Sequence, residues 1–286
     1  MLTTGLSNVV DGGLPTADAS DTGAEKSPGE NTEAMTVALI TVGDELLSGD
    51  TVNTNANWLA AQLSERGVRI ARVLSVPDER ETIASAVGTY HSMFDAVLVT
   101  GGIGGTPDDV TMEAVADAFD RPMTVTELAR HSVESRLAEL TARLPDRELA
   151  VDVTAEAALP EGSRPLLNET GLAPGCVLDG VYVFPGIPGE LKAMFESVAT
   201  EFAGDRRSAF LYTVEPEANI VPSLEAAMDR FSVTVGCYPD READHNRLKL
   251  TATDDEELAA ASEWLLAIIN ASETPVSRNW TAEEPQ

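Results

Sequence analysis

Apolar positions in this chain change period several times, and each change marks an element. The run VALITV (37–42) is apolar almost throughout and rich in β-branched residues, which reads as a buried strand. In TNANWLAAQLSERG (54–67), Ala56, Leu59, Ala60 and Leu63 recur at helical spacing and Gly67 supplies the stop. VRIARVLSV (68–76) alternates as a strand does, and a helix is expected over about 79–91. DAVLVT (95–100) is another buried strand and DVTMEAVADAFD (109–120) another helix. ELARHSVESRLAELTARL (127–144) predicts an amphipathic helix whose apolar side is Leu128, Val133, Leu137, Leu140 and Leu144. After a loop-rich middle, VYVFPGIPGELKAMFESVATEF (181–202) reads as strand, Pro/Gly loop and helix.

Strands separated by helices imply βαβ units, so the expected class is α/β, with a mostly parallel sheet covered on both faces. From about residue 206 the order shifts to β-α-β-β-α: SAFLYTV (208–214), a helix near 220–230, SVTVGCY (232–238), NRLKLTAT (246–253) and EELAAASEWLLAII (256–269). That is a small α+β unit of its own, over about 206–270. Residues 1–34 are polar, acidic and rich in Gly, Pro, Ser and Thr. They lack the apolar surface to offset ordering entropy and are expected to be a disordered acidic tail. Met35 stands directly before the first strand and is a candidate start of translation. The large unit then spans 35–205, and residues 271–286 read as a loose tail.

Charge narrows the partners. The chain of 286 residues carries 48 Asp and Glu against 19 Lys and Arg, a net −29. Such a surface repels nucleic acid and anionic membranes, so neither is an expected partner. Lysine occurs only at Lys26, Lys192 and Lys249, the other cations being arginine. An acid-rich, lysine-poor surface suits a high-salt cytoplasm, where ions screen self-repulsion, and points to a halophile. Cys176 and Cys237 form no C-x-x-C motif, which excludes a zinc knuckle or a disulfide framework and leaves each as a small apolar residue. No run approaches the roughly 18 apolar residues needed to span a membrane, and the N-terminus lacks the pattern of a signal peptide, so a cytoplasmic location is expected. His91, His131 and His245 fall on separate elements and form no visible ligand set.

In open parallel sheets, ligands sit at the carboxyl ends of strands. Loops after three expected strands carry chemistry there. VGDELLSGDTVNTN follows 37–42 and offers Asp44, Glu45, Asn53 and Asn55. TGGIGGTPDDVT (100–111) follows 95–100, and PGIPGE (185–190) follows 181–184. Glycines let backbone N–H groups approach an anion closely, and Asp108 or Asp109 can cap the helix that follows. Paired carboxylates would repel a phosphate unless a hard cation such as Mg²⁺ sat between them. The pattern therefore reads as a glycine nest for phosphate, with Asp109 and Glu45 or Asp44 for metal or general base. It also fits a plain strand-to-helix turn with Pro107 at the bend. It is neither a dinucleotide fingerprint, since Pro107 replaces the third glycine, nor a P-loop.

Together these stretches resemble the MoaB/Mog-like molybdopterin-binding domain family, in the branch found in the amino half of CinA proteins and in FAD synthases. VGDELLSGDTVNTNANWLAAQLSERG is similar to that branch's opening motif, and TGGIGGTPDDVTMEAVADAF to its G-G-(L/I)-G-P-T-x-D-D-x-T segment. LPEGSRPLLNETGLAPGCVLDGVYVFPGIPGELKAMFE and VGCYPDREADHNRLKL resemble its later motifs, giving coverage from about 36 to 270. No part of the sequence resembles the deamidase domain of full CinA or the nucleotidyltransferase domain of FAD synthase.

The resemblance implies a three-layer α/β fold of the molybdopterin-biosynthesis type, a small α+β subdomain, and a homo-oligomer. It implies a pterin or dinucleotide ligand with Mg²⁺ or another divalent metal. Asp109 and Glu45 would be catalytic. Asp108, Asp109 and Asp44 would hold or position the metal. Gly101, Gly102, Gly104, Thr106, Asn53, Asn55, Pro185, Gly186 and Pro188 would bind phosphate or nucleotide. The implied activity is metal-dependent hydrolysis of a phosphoanhydride in an ADP-ribose- or FAD-like dinucleotide. The alternatives are a non-catalytic molybdopterin or nucleotide binder and an adenylyltransferase acting on molybdopterin. Two departures stand out: Gly105 replaces the family's usual Pro, and Glu156 stands where relatives often carry Gln after a basic residue, a loss that either removes turnover or passes the basic role to Arg164 or Lys192.

Overall fold

The computed structural model describes residues 35–144, 146 and 149–277. The expected acidic tail at 1–34 and the end of the chain after Ser277 lie outside the described residues. In chain order the elements are β1 (Thr36–Val42), α1 (Asp44–Ser48), α2 (Thr54–Glu65), β2 (Arg69–Val76), α3 (Arg80–His91), β3 (Ala96–Thr100), α4 (Thr111–Ala118), β4 (Met123–Val125) and α5 (Glu127–Arg143). They continue with α6 (Val153–Glu156), β5 (Ala158–Pro160), β6 (Arg164–Leu166), β7 (Gly175–Leu178), β8 (Val181–Phe184) and α7 (Pro188–Glu196). Last come β9 (Arg207–Thr213), α8 (Glu217–Arg230), β10 (Thr234–Asp240), β11 (His245–Ala252), α9 (Asp255–Ile268) and β12 (Ala271–Ser272).

The large sheet has six strands in the order β2-β1-β3-β8-β7-β6. β2, β1, β3 and β8 are parallel, and β7 and β6 add an antiparallel edge. Alternation along β1 divides the core. Ile40 and Val42 face α3 and α4 through Ile83, Val87, Met112 and Val115, whereas Val37 and Leu39 face α2 and α7 through Leu59, Leu63, Leu191 and Phe195. The expected mixed α/β class, with a mostly parallel sheet and helices on both faces, is what forms. The middle is less irregular than its sequence reads: β4 pairs with β5, and β6 with β7. Strands of three or four residues are too short to display a period.

In α5 the buried positions are Ala129 and Val133, while Leu128 and Leu144 are exposed. The expected apolar side was wrong at its two ends: Leu128 lies about 100° around the helix from Ala129, and Leu144 lies past the last helical residue, Arg143. Asp254 caps α9 by accepting bonds from the Glu256 and Glu257 amides at 2.7 and 3.1 Å.

The second sheet is antiparallel, in the order β10-β11-β9-β12, with α8 and α9 packed on one face through Ile220, Leu224, Leu258, Ala261 and Leu265. The segment after Asn270 is not loose over its first residues. Ala271 and Ser272 pair with Thr213 and Tyr212, and the Val276 carbonyl bonds His245 Nδ1 at 2.7 Å. At the start of β2, Gly67 has φ +78°, and a Cβ there would lie 2.6 Å from the Gly204 carbonyl oxygen. That close crossing anchors the segment leading into β9 against the amino-terminal edge of the large sheet.

Candidate functional site

The parallel register brings the carboxyl ends of the strands to one edge. Thr41 pairs with Thr100, Thr100 with Phe184, and Val42 with Val76. The loops after β1, β3 and β8 therefore open side by side, together with the turn after β2.

Side-chain amides tie these loops together. Asn53 accepts from the Ala56 amide at the start of α2 and donates to Thr41 Oγ1 at 2.9 Å. Asn55 Nδ2 donates to the Gly186 carbonyl at 2.7 Å and lies 3.3 Å from Thr100 Oγ1, while Thr100 Oγ1 donates to the Pro185 carbonyl at 2.8 Å. Asn53 thus ties the start of α2 to β1, and Asn55 ties it to the loop after β8.

The glycine loop is held from beneath. Gly101 has φ +106°, and a Cβ there would lie 2.2 Å from the Val42 carbonyl oxygen, so only glycine passes this point. Its own amide donates to Phe184 O at 3.1 Å. Buried Thr111 fixes the turn twice: its hydroxyl donates to Gly101 O at 2.8 Å and its amide to Gly102 O at 2.9 Å. Among the described residues the Gly102 and Gly104 amides donate to no backbone carbonyl.

The expected helix cap does not form. α4 begins at Thr111 with Val110 before it and no side-chain cap. Asp109 instead closes its own turn, where its Oδ2 accepts from the Thr106 amide at 3.0 Å and from the Thr106 hydroxyl. The carboxylate leans on Gly104, where a Cβ would lie 2.8 Å from Oδ2. Across the loop stands Glu156. A Cβ on Gly105 would lie 2.2 Å from Glu156 Oε1, so glycine at 105 leaves the space this carboxylate occupies. Glu156 Oε2 is buried without a hydrogen-bond partner among the described residues. Burial, and then the Asp109 charge, push the Glu156 carboxyl above its usual range.

The edge holds two adjoining hollows. One, of about 90 Å³, is lined by Glu45, Asn53, Asn55, Thr100, Gly186 and Pro188. The other, of about 380 Å³, is lined by Gly102, Gly104, Asp109, Glu156, Pro185 and Glu190 among others. Gly186 borders both, so Glu45 and Asp109 face different compartments. Thr106 and Asp109 also border a third recess beside Glu156, of about 170 Å³, which shares Gly102, Gly104 and Glu156 with the larger hollow.

Asp44 and Asp108 line neither hollow. Together with Glu45 they surround Asp78, whose Oδ2 accepts from the Asp44 amide at 2.9 Å. Burial and these negative neighbours raise the Asp78 carboxyl, against the lowering effect of that backbone bond. The reading from sequence missed Asp78 and Thr111. Asp78 directly follows a strand in SVPDE, so the carboxyl-end rule could have found it.

Neither hollow is lined by lysine or arginine. Arg164, one expected source of positive charge, pairs with Glu201 at 2.8 Å, and Lys192 lies 5.6 Å over the Trp58 ring. Both are engaged elsewhere, which corrects the expectation that either replaces a lost basic residue. Among the described residues no three Asp, Glu, His or Cys side chains form a ready-made metal site.

Residues 38–204 match the family profile described as a probable molybdopterin binding domain. The chain belongs to the molybdopterin-binding-domain family. Residues 207–275 of this family member match a second profile, described as the middle domain of FAD synthase. A Thermococcus kodakarensis protein is 34% identical over 241 residues, covering 81% of this chain and 96% of its own. A CinA-like protein of Citrifermentans bemidjiense is 35% identical over 240 residues, covering 80% of this chain; the match spans 56% of that longer protein. A crystal structure of the protein CinA with unknown function from Thermoplasma acidophilum superposes with a TM-score of 0.52 at 30% identity, covering 59% of this chain and 98% of that one. The chain is thus a CinA-like member of the molybdopterin-binding-domain family, and the glycine loop, Asp109 and both hollows fall inside the matched domain. Among the described residues no helix is long and apolar enough to cross a membrane.

Proposed function

We propose that the carboxyl edge of the large sheet binds a dinucleotide of the ADP-ribose or FAD type and hydrolyses its phosphoanhydride with a divalent cation. The observation that carries this reading is the facing of Asp109 and Glu156 across a glycine loop, in a hollow without a lysine or arginine. The charged side chains lining this hollow, Asp109, Glu156 and Glu190, are all acidic, so phosphates entering it need a cation to offset the repulsion. Hard carboxylate oxygens suit Mg²⁺, which commonly takes one or two carboxylates and completes its shell with water and substrate phosphate. The partnerless Glu156 Oε2 is a donor atom open to that role.

Asp109 and Glu156 would hold the cation, which when bound polarises the phosphoanhydride. The Gly102 and Gly104 amides face developing negative charge on phosphate oxygen. In the hydrolysis a water oxygen bonds to one phosphorus as the bridging P–O bond breaks and AMP leaves with the other phosphate; Glu45, which borders the adjoining hollow, would take up the proton of that water. Asp78, Asp44 and Asp108 keep the rim acidic and favour cation entry. Thr111, Asn53 and Asn55 fix the loops.

The test is incubation of the protein with ADP-ribose, FAD, NAD or ATP and Mg²⁺, Mn²⁺ or Co²⁺, following AMP release. AMP from ADP-ribose or FAD, lost in a folded Asp109→Asn protein, is expected. Full activity in Asp109→Asn refutes the role of Asp109. A folded wild-type protein that releases no AMP refutes the hydrolase. The separation of Glu45 from Asp109 into different hollows favours a second reading, a binder of pterin or nucleotide without turnover, and molybdopterin is then the next ligand to test.

A further inference from the structure

The small sheet covers one face with α8 and α9 and leaves the other uncovered by helices of its own. Leu248 and Leu250 of β11 point into the core, so Arg247 and Lys249, at alternate positions, stand on the outer face. Register sets their neighbours: Arg247 lies opposite Tyr238 and Tyr212, and Lys249 opposite Gly236 and Phe210. The Arg247 guanidinium carbon is 5.6 Å from the Phe210 ring centre and 5.7 Å from that of Tyr238, so ring, guanidinium and ring form a row across three strands. Gly236 makes the row possible, because a Cβ there would meet Tyr238 Oη at 2.7 Å. Phe210 and Tyr238 remain 39% and 49% exposed.

The charge of this row is unusual for the molecule. In a chain of net −29, the ion pairs among the described residues are Arg80–Asp117, Arg136–Glu139, Arg164–Glu201 and Arg207–Asp255. None of these four includes Arg247, Lys249 or Arg206; an acidic neighbour of the row, Asp240, has its carboxyl lowered by backbone bonds and, less strongly, by His245 and Arg247. Arg247 and Lys249 share the Phe210 ring, at 5.6 and 5.9 Å, and burial, then the Arg206 and Arg247 charges, lower the Lys249 ammonium below its ordinary range, so Arg206 also lies near Lys249. Lys249 Nζ also donates to Ser64 Oγ at 3.2 Å, close to the carboxyl end of α2. Asn55, at the other end of α2, borders the glycine-loop edge. Nine residues of helix separate the two, about 14 Å.

We propose that the outer face of β9, β10 and β11 is a second ligand site, one that takes a nucleoside phosphate, with the base on the Tyr238–Arg247–Phe210 row and the phosphate on Arg247, Lys249 and Arg206. Flat rings and a guanidinium plane stack on a base, and the adjacent cations complement phosphate. The occupant is a small anion. A polynucleotide, or a second copy of the chain, brings many negative charges against a molecule of −29, whereas a mononucleotide brings about two. The site is separate from the glycine-loop hollows and does not depend on the hydrolase reading.

The test is calorimetric titration of the full chain in EDTA at low salt with AMP, ribose 5-phosphate and adenosine. EDTA removes the cation that the glycine-loop reading requires. AMP is expected to bind about tenfold or more tightly than either fragment, and to weaken as salt rises. Arg247→Ala and Phe210→Ala should each weaken AMP about tenfold, and Arg247→Lys should keep ribose 5-phosphate binding while losing the advantage of AMP. Asp109→Asn should leave this binding unchanged. Folded Arg247→Ala and Phe210→Ala proteins with wild-type AMP affinity overturn the proposal. So does AMP binding lost in Asp109→Asn alone, or no AMP binding at millimolar concentration. Loss of AMP release in the hydrolase test with these affinities intact would sink the hydrolase and leave this site standing.

Discussion

Thr111 offers the sharpest test of how the glycine loop is held. Its side chain is fully buried, its hydroxyl donates to the Gly101 carbonyl, and Gly101 is itself buried. Thr111→Val keeps the volume and shape of the side chain and removes only that donor. The Gly101 carbonyl then stays buried without the hydroxyl, at a cost of about 1–3 kcal/mol. With a central figure of about 2 kcal/mol, and 2–4 °C of Tm per kcal/mol for a domain of this size, the expected loss is about 4–8 °C. Thr111→Ser is the counterpart: it keeps the donor and gives up one methyl, worth about 1 kcal/mol. Scanning calorimetry should therefore rank wild type above Ser, and Ser above Val, the reverse of what volume alone predicts. AMP release should follow the hydroxyl, largely kept by Ser and reduced by Val. A Val variant as stable as wild type, or more stable than Ser, would refute the assignment of loop rigidity to this hydrogen bond.

Two titrations probe the core of the large sheet. Burial and the Glu201 carboxylate, which accepts the Tyr182 hydroxyl at 2.9 Å, push the Tyr182 phenol up to about 12. A raised folded pKa keeps the proton on the native state, so the stability linked to Tyr182 is present below about pH 10 and is lost as pH rises towards 12. Ultraviolet titration should show a tyrosine phase near pH 12, and Tyr182→Phe should remove it. Buried Cys176, its thiol pushed up to about 12 by burial, should resist an aromatic disulfide reagent at pH 8 until urea unfolds the chain, with only half-buried Cys237 reacting beforehand. Rapid modification of Cys176 in the native protein, read by peptide mass, would contradict its packing.

Long elements were legible in the sequence because their periods repeat. β1, β3, α2 and α3 carry enough apolar positions to declare type and approximate bounds. β4 to β7 did not, since three or four residues show no period and their pairing is decided by distant partners. α5 was legible as a helix but not as a face: one residue of phase separates buried Ala129 from exposed Leu128. For the site, the carboxyl-end rule placed the loops of Glu45, Gly101–Gly104 and Gly186 on one edge. It could not tell ligand groups from framework. Whether Asn55 faces a phosphate or a neighbouring carbonyl depends on Gly186, 131 residues away in the chain. Nor could it show that Gly105 and Glu156, two separate departures from the family pattern, meet in space and answer one another.

The placement of charge links the two sites. Lysines and arginines are few in this chain and are kept away from the glycine-loop hollows, where phosphate chemistry is expected. Arg164 and Lys192 are held by Glu201 and Trp58, while Arg247 and Lys249 gather on the small sheet. A phosphate site without basic side chains repels its ligand until a cation is present, so binding there should require a divalent metal. A site built from Arg247, Lys249 and Arg206 carries its positive charge permanently and should bind without metal. Metal dependence therefore separates the two: chelation should abolish nucleotide binding at the large sheet and spare it at the small one. If chelation left both intact, Asp109 and Glu156 would not be metal ligands. If it abolished both, the cations of the small sheet would not be sufficient to hold a phosphate.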